Sequence, residues 1–329
     1  MKIVLISQDV HPLPNYAGTE RAVYTLGENL IKRGHEVYLY APEGSYSSAH
    51  IIYYRKKYQS SDELVDYVLK TIPSNIDIVH DNSIYINHSS KKIPLPTVST
   101  IHWPDNSSGK FNVYVSKRAR KTFANNKGFY IYNGINVEDF EFSEKKEDYN
   151  LFLGRICAEK GLHHALTVCE KNNEKLIIAG PLFDDGYYKN EIEPRIKNNE
   201  KIKYVGFVKG AEKQKLIKHA KCVLFPSTWE EPFGLVIIEA MACGTPVLAL
   251  PRGGIPEVLE GFPDLLCDTF EEMAYKCKNQ LFPSPKSMRA YVENKFSSDK
   301  MTERYLFIYQ LAINDRNKLL NKNLVLPIL

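Results

Sequence analysis

Short apolar stretches alternate with amphipathic ones along this chain from its first residues, and that rhythm constrains the fold more than any single motif. Residues 3–7 read as a strand, 20–33 as an amphipathic helix closed by Gly34, and 36–40 as the next strand. Further strands are expected at 76–80, 97–101, 112–116 and 128–132. Strands separated by helices return the chain to the same end of a sheet, so they pair in parallel. The rhythm breaks at residues 138–150, a polar stretch rich in Glu and Lys that reads as a linker. It then restarts with strands at 149–153, 175–179, 202–207, 221–226 and 246–250, and helices at 161–171, 211–219 and 235–242. A long helix of mixed character follows at 301–321. The simplest architecture is two α/β domains, whose facing strand ends would make a cleft of the kind in which such sheets bind ligands.

At 329 residues, two domains match the ordinary domain size. A net charge of +4 gives no reason to expect a nucleic-acid partner, while leaving room for a phosphorylated ligand. Six cysteines, all from Cys157 onward and with no CxxC spacing, read as reduced and buried. No stretch approaches the ~20 apolar residues of a membrane span. The expectation is a cytoplasmic protein, whose contact with a membrane, if it has one, is peripheral and at the inner face.

Three glycine-containing loops fall where a strand ends or a helix begins, the places where main-chain donors meet phosphate. The first is Pro14-Asn15-Tyr16-Ala17-Gly18-Thr19-Glu20; it holds no GxGxxG, which argues against a nicotinamide enzyme. The second is Gly154-Arg155-Ile156-Cys157-Ala158-Glu159-Lys160-Gly161, where two cations could converge on one diphosphate. The third is Glu231-Pro232-Phe233-Gly234-Leu235, followed by an Ala-rich helix that carries Glu239. Pro232 suits a helix entry, Gly234 lets a phosphate approach the backbone, and Glu239 offers a carboxylate to hydroxyls. Diphosphate plus polyol describes a nucleotide sugar, although the same pattern also fits an ordinary strand-to-helix connection with solvated acids.

His102, ending an apolar strand before Trp103-Pro104, is either a structural hydrogen bonder or a site residue; His80-Asp81 is a weaker candidate. The adjacent His163 and His164 are expected to face different directions, which argues against metal ligation. No Asp-x-Asp occurs, so a diphosphate would be held by Arg, Lys and a helix terminus rather than through a metal. The stretch Tyr53 to Tyr58, basic and aromatic, reads best as a solvated helix face.

Taken together, Tyr16-Ala17-Gly18-Thr19-Glu20, Gly34-His35-Glu36-Val37, Asn133-Gly134-Ile135-Asn136, Gly154-Arg155 with Glu159-Lys160-Gly161, and Glu231-Pro232-Phe233-Gly234 with Glu239 resemble the retaining glycosyltransferases of family 4. The resemblance implies the GT-B fold, with residues 1–140 as a Rossmann-like acceptor domain and 141–302 as a Rossmann-like donor domain. The sequence leaves open whether a C-terminal helix at about 303–329 packs back on the first domain. The resemblance implies that Arg155 and Lys160 hold the donor diphosphate, that Glu239 binds ribose hydroxyls, and that Glu231 contacts the donor sugar. Phe233, Gly234 and Leu235 would present main-chain amides, His102 would lie near the transferred sugar, Gly18 would face the diphosphate, and the segment around Val208 would hold the base. One departure is Ala17, where the family carries a first glycine.

The implied activity is transfer of a hexose or N-acetylhexosamine from a nucleotide sugar, UDP-linked on family frequency, to a hydroxyl of a glycan, lipid-linked or small-molecule acceptor. No metal or other cofactor is implied beyond that co-substrate. A nucleotide-sugar epimerase or phosphorylase of the same fold, and a non-catalytic sugar-nucleotide binding subunit, are the competing readings.

Overall fold

Each run of alternation produces an all-parallel sheet. The computed structural model describes residues 1–8, 10, 18–54, 60–83, 85–105 and 109–323, without the side chains of 85 and 319–323. Its residues form two units, one running to Gly134 and resumed from Ser298, the other spanning Ile135–Ser297.

The first unit is built on seven strands: β1 (Lys2–Ser7), β2 (Glu36–Pro42), β3 (His50–Tyr54), β4 (Ile78–Asn82), β5 (Thr97–Ile101), β6 (Asn112–Tyr114) and β7 (Phe129–Tyr130). Their order is β3-β2-β1-β4-β5-β6-β7, every neighbouring pair parallel. Helices α1 (Gly18–Lys32), α2 (Ser61–Thr71), α3 (Tyr85–His88) and α4 (Lys117–Ala124) belong to the crossovers. β1 is central and covered on both faces, which is why it is apolar almost throughout. Its side chains alternate: Ile3 and Leu5 enter one core with Leu26 and Leu30 of α1, while Val4 and Ile6 enter the other with Leu64, Val65 and Val68 of α2.

Tyr53 and Tyr54, expected on a solvated helix, instead close the strand β3, whose register places them against Ala41 and Pro42 of β2. β-branched and aromatic residues at 51–54 favour a pleated, half-buried surface over a helix. Residues 55–58 of that stretch lie outside the described residues.

The second unit contains β8 (Asn150–Leu153), α5 (Leu162–Asn172), β9 (Leu176–Ala179), α6 (Asp185–Tyr187), α7 (Glu193–Lys197), β10 (Ile202–Tyr204), α8 (Gly210–His219), β11 (Cys222–Phe225), α9 (Leu235–Ala242), β12 (Val247–Ala249), α10 (Ile255–Val258), α11 (Phe270–Asn279) and α12 (Pro285–Phe296). Its sheet has the order β10-β9-β8-β11-β12, again parallel. All six cysteines are free and buried.

The polar stretch at 138–150 is not a free linker. Lys146 turns inward, and its Nζ donates to the carbonyls of Lys218 at 2.9 Å and Cys243 at 3.3 Å and to Thr245 Oγ1 at 2.8 Å. Arg289 of α12 donates from the other side to the carbonyls of Val137, Phe140 and Ala242. Helices α8 and α9 thereby end on cations, which their negative C-terminal poles favour. Burial lowers Lys146 to about 8. The charges that made this stretch look solvated are what clamp it to the second unit.

The last helix, α13 (Ser298–Asn323), lies on the first unit, where Met301, Tyr305, Ile308, Tyr309 and Ala312 join the core shared with α1. Its tyrosines meet polar groups of the sheet. Tyr309 Oη is 2.7 Å from His80 Nδ1, His80 Nε2 is 2.7 Å from Thr100 Oγ1, and that hydroxyl is 2.8 Å from Tyr305 Oη. This chain of hydrogen bonds accounts for the helix's mixed composition.

Three buried titratable groups tie the stability of this unit to pH. Burial lowers His80 to about 3 and His102 to about 4, from an ordinary 6.5, and raises Asp81 to about 6 from 3.8. The depressed histidines contribute stability above pH 6.5 that is lost on acidification, whereas raised Asp81 contributes stability at low pH that is lost as pH rises through 6. Between pH 4 and 6 these three groups by themselves give the unfolded chain two more imidazole protons and one fewer on Asp81, a net difference of one, and His35, also lowered by burial, acts in the same direction as the other histidines. The first unit should lose about 1.4 kcal/mol per pH unit of acidification there, and Asp81→Asn should roughly double that slope. The chain has two tryptophans, Trp103 and Trp229, one in each unit, so Trp229→Phe leaves Trp103 to report urea unfolding of the first. A flat stability from pH 6.5 to 4 would contradict the assignment of neutral buried imidazoles.

Candidate active site

In the second sheet the strand order reverses between β8 and β11. The loops leaving those two strands run in opposite directions, and such a reversal is where parallel sheets expose a crevice beyond their C-terminal ends. The loop after β8 carries Gly154 to Gly161, and the loop after β11 carries Pro226 to Gly234. Topology therefore joins two motifs that are 71 residues apart. Lys160 Nζ is ion-paired with Glu231 Oε1, and Ser227 Oγ donates to the same oxygen at 2.9 Å. These charged side chains are only 17% and 10% exposed.

Main-chain contacts lock the loops together. Thr228 N donates to the Glu159 carbonyl at 3.0 Å. Gly161 has φ +72°, and a Cβ there would stand 2.2 Å from the Pro226 carbonyl oxygen. A third loop, after β12, closes on the second: Gly254 N donates to the Glu231 carbonyl at 2.7 Å, and Gly253 N to Glu230 Oε2 at 3.1 Å. Neither Ser227 nor this Arg252-Gly253-Gly254 loop was anticipated; the available signal was a glycine pair shortly after a strand.

The other residues expected to hold the donor are found in varied states. Arg155 pairs with Glu159 at 2.9 Å and covers the Phe183 ring at 4.5 Å, so the two cations of the β8 loop hold different carboxylates. Phe233 is buried and meets Phe296 edge-on at 5.7 Å, an anchor for its turn. Gly234 is the N-cap of α9, with φ +91° and space for a Cβ closed by Ile255 Cδ1 at 2.8 Å. Leu235 opens the helix, and its amide is among those that precede any intrahelical acceptor. Pro232 lies outside the helix, two residues before its N-cap, so the entry is set by Gly234 instead. Val208 is buried just before α8. Glu239, expected to present itself to hydroxyls, is 1% exposed and has its Oε2 2.6 Å from Lys213 Nζ of α8. No sequence motif drew attention to Lys213.

His163 and His164 do not diverge. Their ring centroids are 3.8 Å apart, His164 stacks on Phe270 and His163 Nδ1 is 2.8 Å from Tyr187 Oη. Side-chain rotation into available aromatic partners outweighs the 100° step between adjacent helical positions. Among the described residues no group of three or more His, Cys, Asp or Glu side chains is arranged to hold a metal ion.

In the first unit, strand order reverses between β1 and β4. Gly18 opens α1 and is exposed, while Pro14 to Ala17 of its loop lie outside the described residues. His102 follows β5, buried, with Nε2 unpaired. Asp81 Oδ2, Asn82 Nδ2, Asn87 Nδ2 and Asp105 Oδ2 are likewise buried without a hydrogen-bond partner, while Asp81 Oδ1 accepts from Ser83 N and Oγ. His80, by contrast, is fully engaged under α13.

The family profile described as "Glycosyl transferases group 1" matches residues 136–295, and that described as "Glycosyltransferase Family 4" matches 16–139. The chain belongs to the group 1 glycosyltransferases. An uncharacterized glycosyltransferase of Methanocaldococcus jannaschii is 35% identical over 149 residues, 40% of this chain but only 38% of that protein. A second uncharacterized glycosyltransferase of the same organism is 26% identical over 286 residues, 73% of this chain and 78% of its own length. Among solved structures, HepE of Anabaena, in complex with UDP and glucose, superposes with a TM-score of 0.74 at 20% identity, covering 93% of this chain and 98% of that one. That likeness shows the fold, two parallel α/β sheets of GT-B type. Among the described residues of this family member no helix is long and apolar enough to cross a membrane.

The interlock of the β8 and β11 loops makes a paired prediction. Gly161→Ala should destabilise the second unit by about 2 kcal/mol or more, combining positive φ with a main-chain clash. Gly154→Ala, whose nearest neighbour would be a Phe152 ring atom at 3.9 Å, should stay within about 0.5 kcal/mol. Urea unfolding followed by Trp229 in a Trp103→Phe background measures both, and equal losses would refute the contact.

Proposed function

We propose that this glycosyltransferase takes a hexosyl or N-acetylhexosaminyl group from a nucleoside diphosphate sugar, UDP-linked, and passes it to an acceptor hydroxyl with retention of anomeric configuration and without a metal. The observation that carries the reading is the junction of the β8 and β11 loops: two cations, Arg155 and Lys160, on one loop and a carboxylate, Glu231, on its neighbour. A diphosphate needs the cations, and sugar hydroxyls need the acid. The HepE structure, holding UDP and glucose in a protein of the same fold, supports this choice of donor.

The Lys160–Glu231 pair gives the site a resting state that a donor can exchange. When a diphosphate enters, the Lys160 ammonium shifts from carboxylate to phosphate, and Glu231 is freed to accept from sugar hydroxyls. As the bond from C1 to the phosphate oxygen breaks, negative charge grows on the diphosphate and Lys160 and Arg155 stabilise it. The acceptor hydroxyl forms the new bond to C1, and its proton passes to the departing phosphate oxygen. No protein nucleophile is needed.

The first unit would take the acceptor. His102 has an unpaired Nε2, and Asp81, Asn82, Asn87 and Asp105 each retain a buried polar atom able to meet an acceptor hydroxyl. A glycan, a lipid-linked sugar or a small polyol presents such hydroxyls.

The test is a panel of nucleotide sugars, read first as slow hydrolysis and then as transfer to added acceptors. Lys160→Ala and Arg155→Ala, each first checked by circular dichroism to be folded, should lower kcat by about a hundredfold, the usual effect of removing one donor to a developing oxyanion. Wild-type turnover in both variants, or no cleavage of any donor by the wild type, sinks the proposal.

A further inference from the structure

We propose that Lys213 is a positioning residue for the nucleotide: its ammonium keeps Glu239 ionised within the fold, so that the carboxylate can receive both ribose hydroxyls of a nucleoside diphosphate. The inference rests on the donor reading of the second unit and extends it to a residue on a different helix.

Glu239 is the single charged residue of α9, whose sequence is otherwise Leu-Val-Ile-Ile before it and Ala-Met-Ala after it. Its side chain is 1% exposed. A carboxylate in such surroundings takes up a proton unless a cation stands beside it, because burial penalises the charged form. Once protonated it would donate through one oxygen, whereas two neighbouring hydroxyls are best received by an acceptor-only group. Lys213 supplies the cation from α8, with Nζ 2.6 Å from Oε2 and its side chain only 11% exposed. Burying an ammonium is costly as well, and a mutual pair offsets part of both penalties.

The remaining titratable and charged groups around this end of α9 are otherwise engaged or neutral. Lys146 is directed at the carbonyls of Lys218 and Cys243, and Arg289 of α12 at those of Val137, Phe140 and Ala242. The Cys243 thiol, pushed up to about 12 by burial, stays neutral. β12, packed against α9, contributes Val247, Leu248 and Ala249. Lys213 is thus the described cation paired with Glu239.

Calorimetric titration with UDP, GDP and ADP, from about pH 6 to about pH 9, tests the role in the full chain. For whichever nucleotide binds best, Lys213→Met should weaken affinity about tenfold or more near neutrality and recover it as rising pH ionises Glu239. Lys213→Arg should bind as the wild type does. Glu239→Gln should bind weakly at every pH, which also isolates any contribution from titration of Lys146. The 2′,3′-dideoxy analogue should bind wild type and Lys213→Met alike. If the Met variant fails to fold, Lys213→Gln takes its place, keeping a hydrogen-bond donor without charge, and the same pH recovery is expected. Unchanged affinity, or equal loss for ribose and dideoxyribose nucleotides without recovery at high pH, overturns the inference and leaves the donor reading standing. Failure of the wild type to bind any nucleoside diphosphate overturns the donor reading itself.

Discussion

Everything in the candidate donor site depends on one contact between loops: the Lys160–Glu231 ion pair, seated where the second sheet reverses its strand order. Parallel strands all end on the same edge, and at the reversal two consecutive crossovers leave in opposite directions. Loops from β8 and β11 are then adjacent with no strand or helix required between them. The glycine at 161 and the Thr228 to Glu159 hydrogen bond bring their backbones close enough for the side chains to pair.

The second unit is built so that its inward charges neutralise one another. Arg155 and Glu159 pair nearer the solvent, whereas Lys160 answers Glu231 and Lys213 answers Glu239 in largely shielded pairs. Pairs this shielded contribute little net stability, because desolvation consumes most of the Coulomb energy, yet losing one partner strands the other. In the proposed donor complex a diphosphate takes the place of Glu231 beside Lys160, while the Lys213–Glu239 pair is kept. Lys146 and Arg289 do related work away from the site, ending α8 and α9 on cations and fastening the incoming chain. The first unit follows a different principle. Its polar residues beyond β4 and β5 include several with unpaired buried atoms, while His80 is saturated by Thr100 and Tyr309. Unpaired buried groups cost more than paired ones, and such groups concentrate where something else is to be bound.

Much of the fold was legible along the chain because it rests on local rules. Period-two and near-continuous apolar runs mark β1, β4, β5, β8 and β11, and an apolar Ala-rich segment closed by Gly244 marks α9 to the residue. The motifs around Arg155, Lys160 and Glu231 could be read as one anion-and-hydroxyl site, since residue type dictates what each can bind. The β3 strand was missed because two tyrosines beside basic residues fit both a solvated helix and a sheet edge. The clamp at 141–149 was missed because a buried lysine and a solvated one have the same letter.

Sequence alone determined the α/β alternation, the two runs that become two parallel sheets, and the chemical character of the loops after β8 and β11. Those features follow from backbone propensity and side-chain chemistry, which act over a few residues. Only the tertiary structure decided which charge faces which. Glu239 could be expected at hydroxyls, but its burial against Lys213, 26 positions earlier on another helix, depends on how α8 and α9 flank β11. Partner choice for a buried charge is set by desolvation, and desolvation is a property of the packed molecule rather than of the chain.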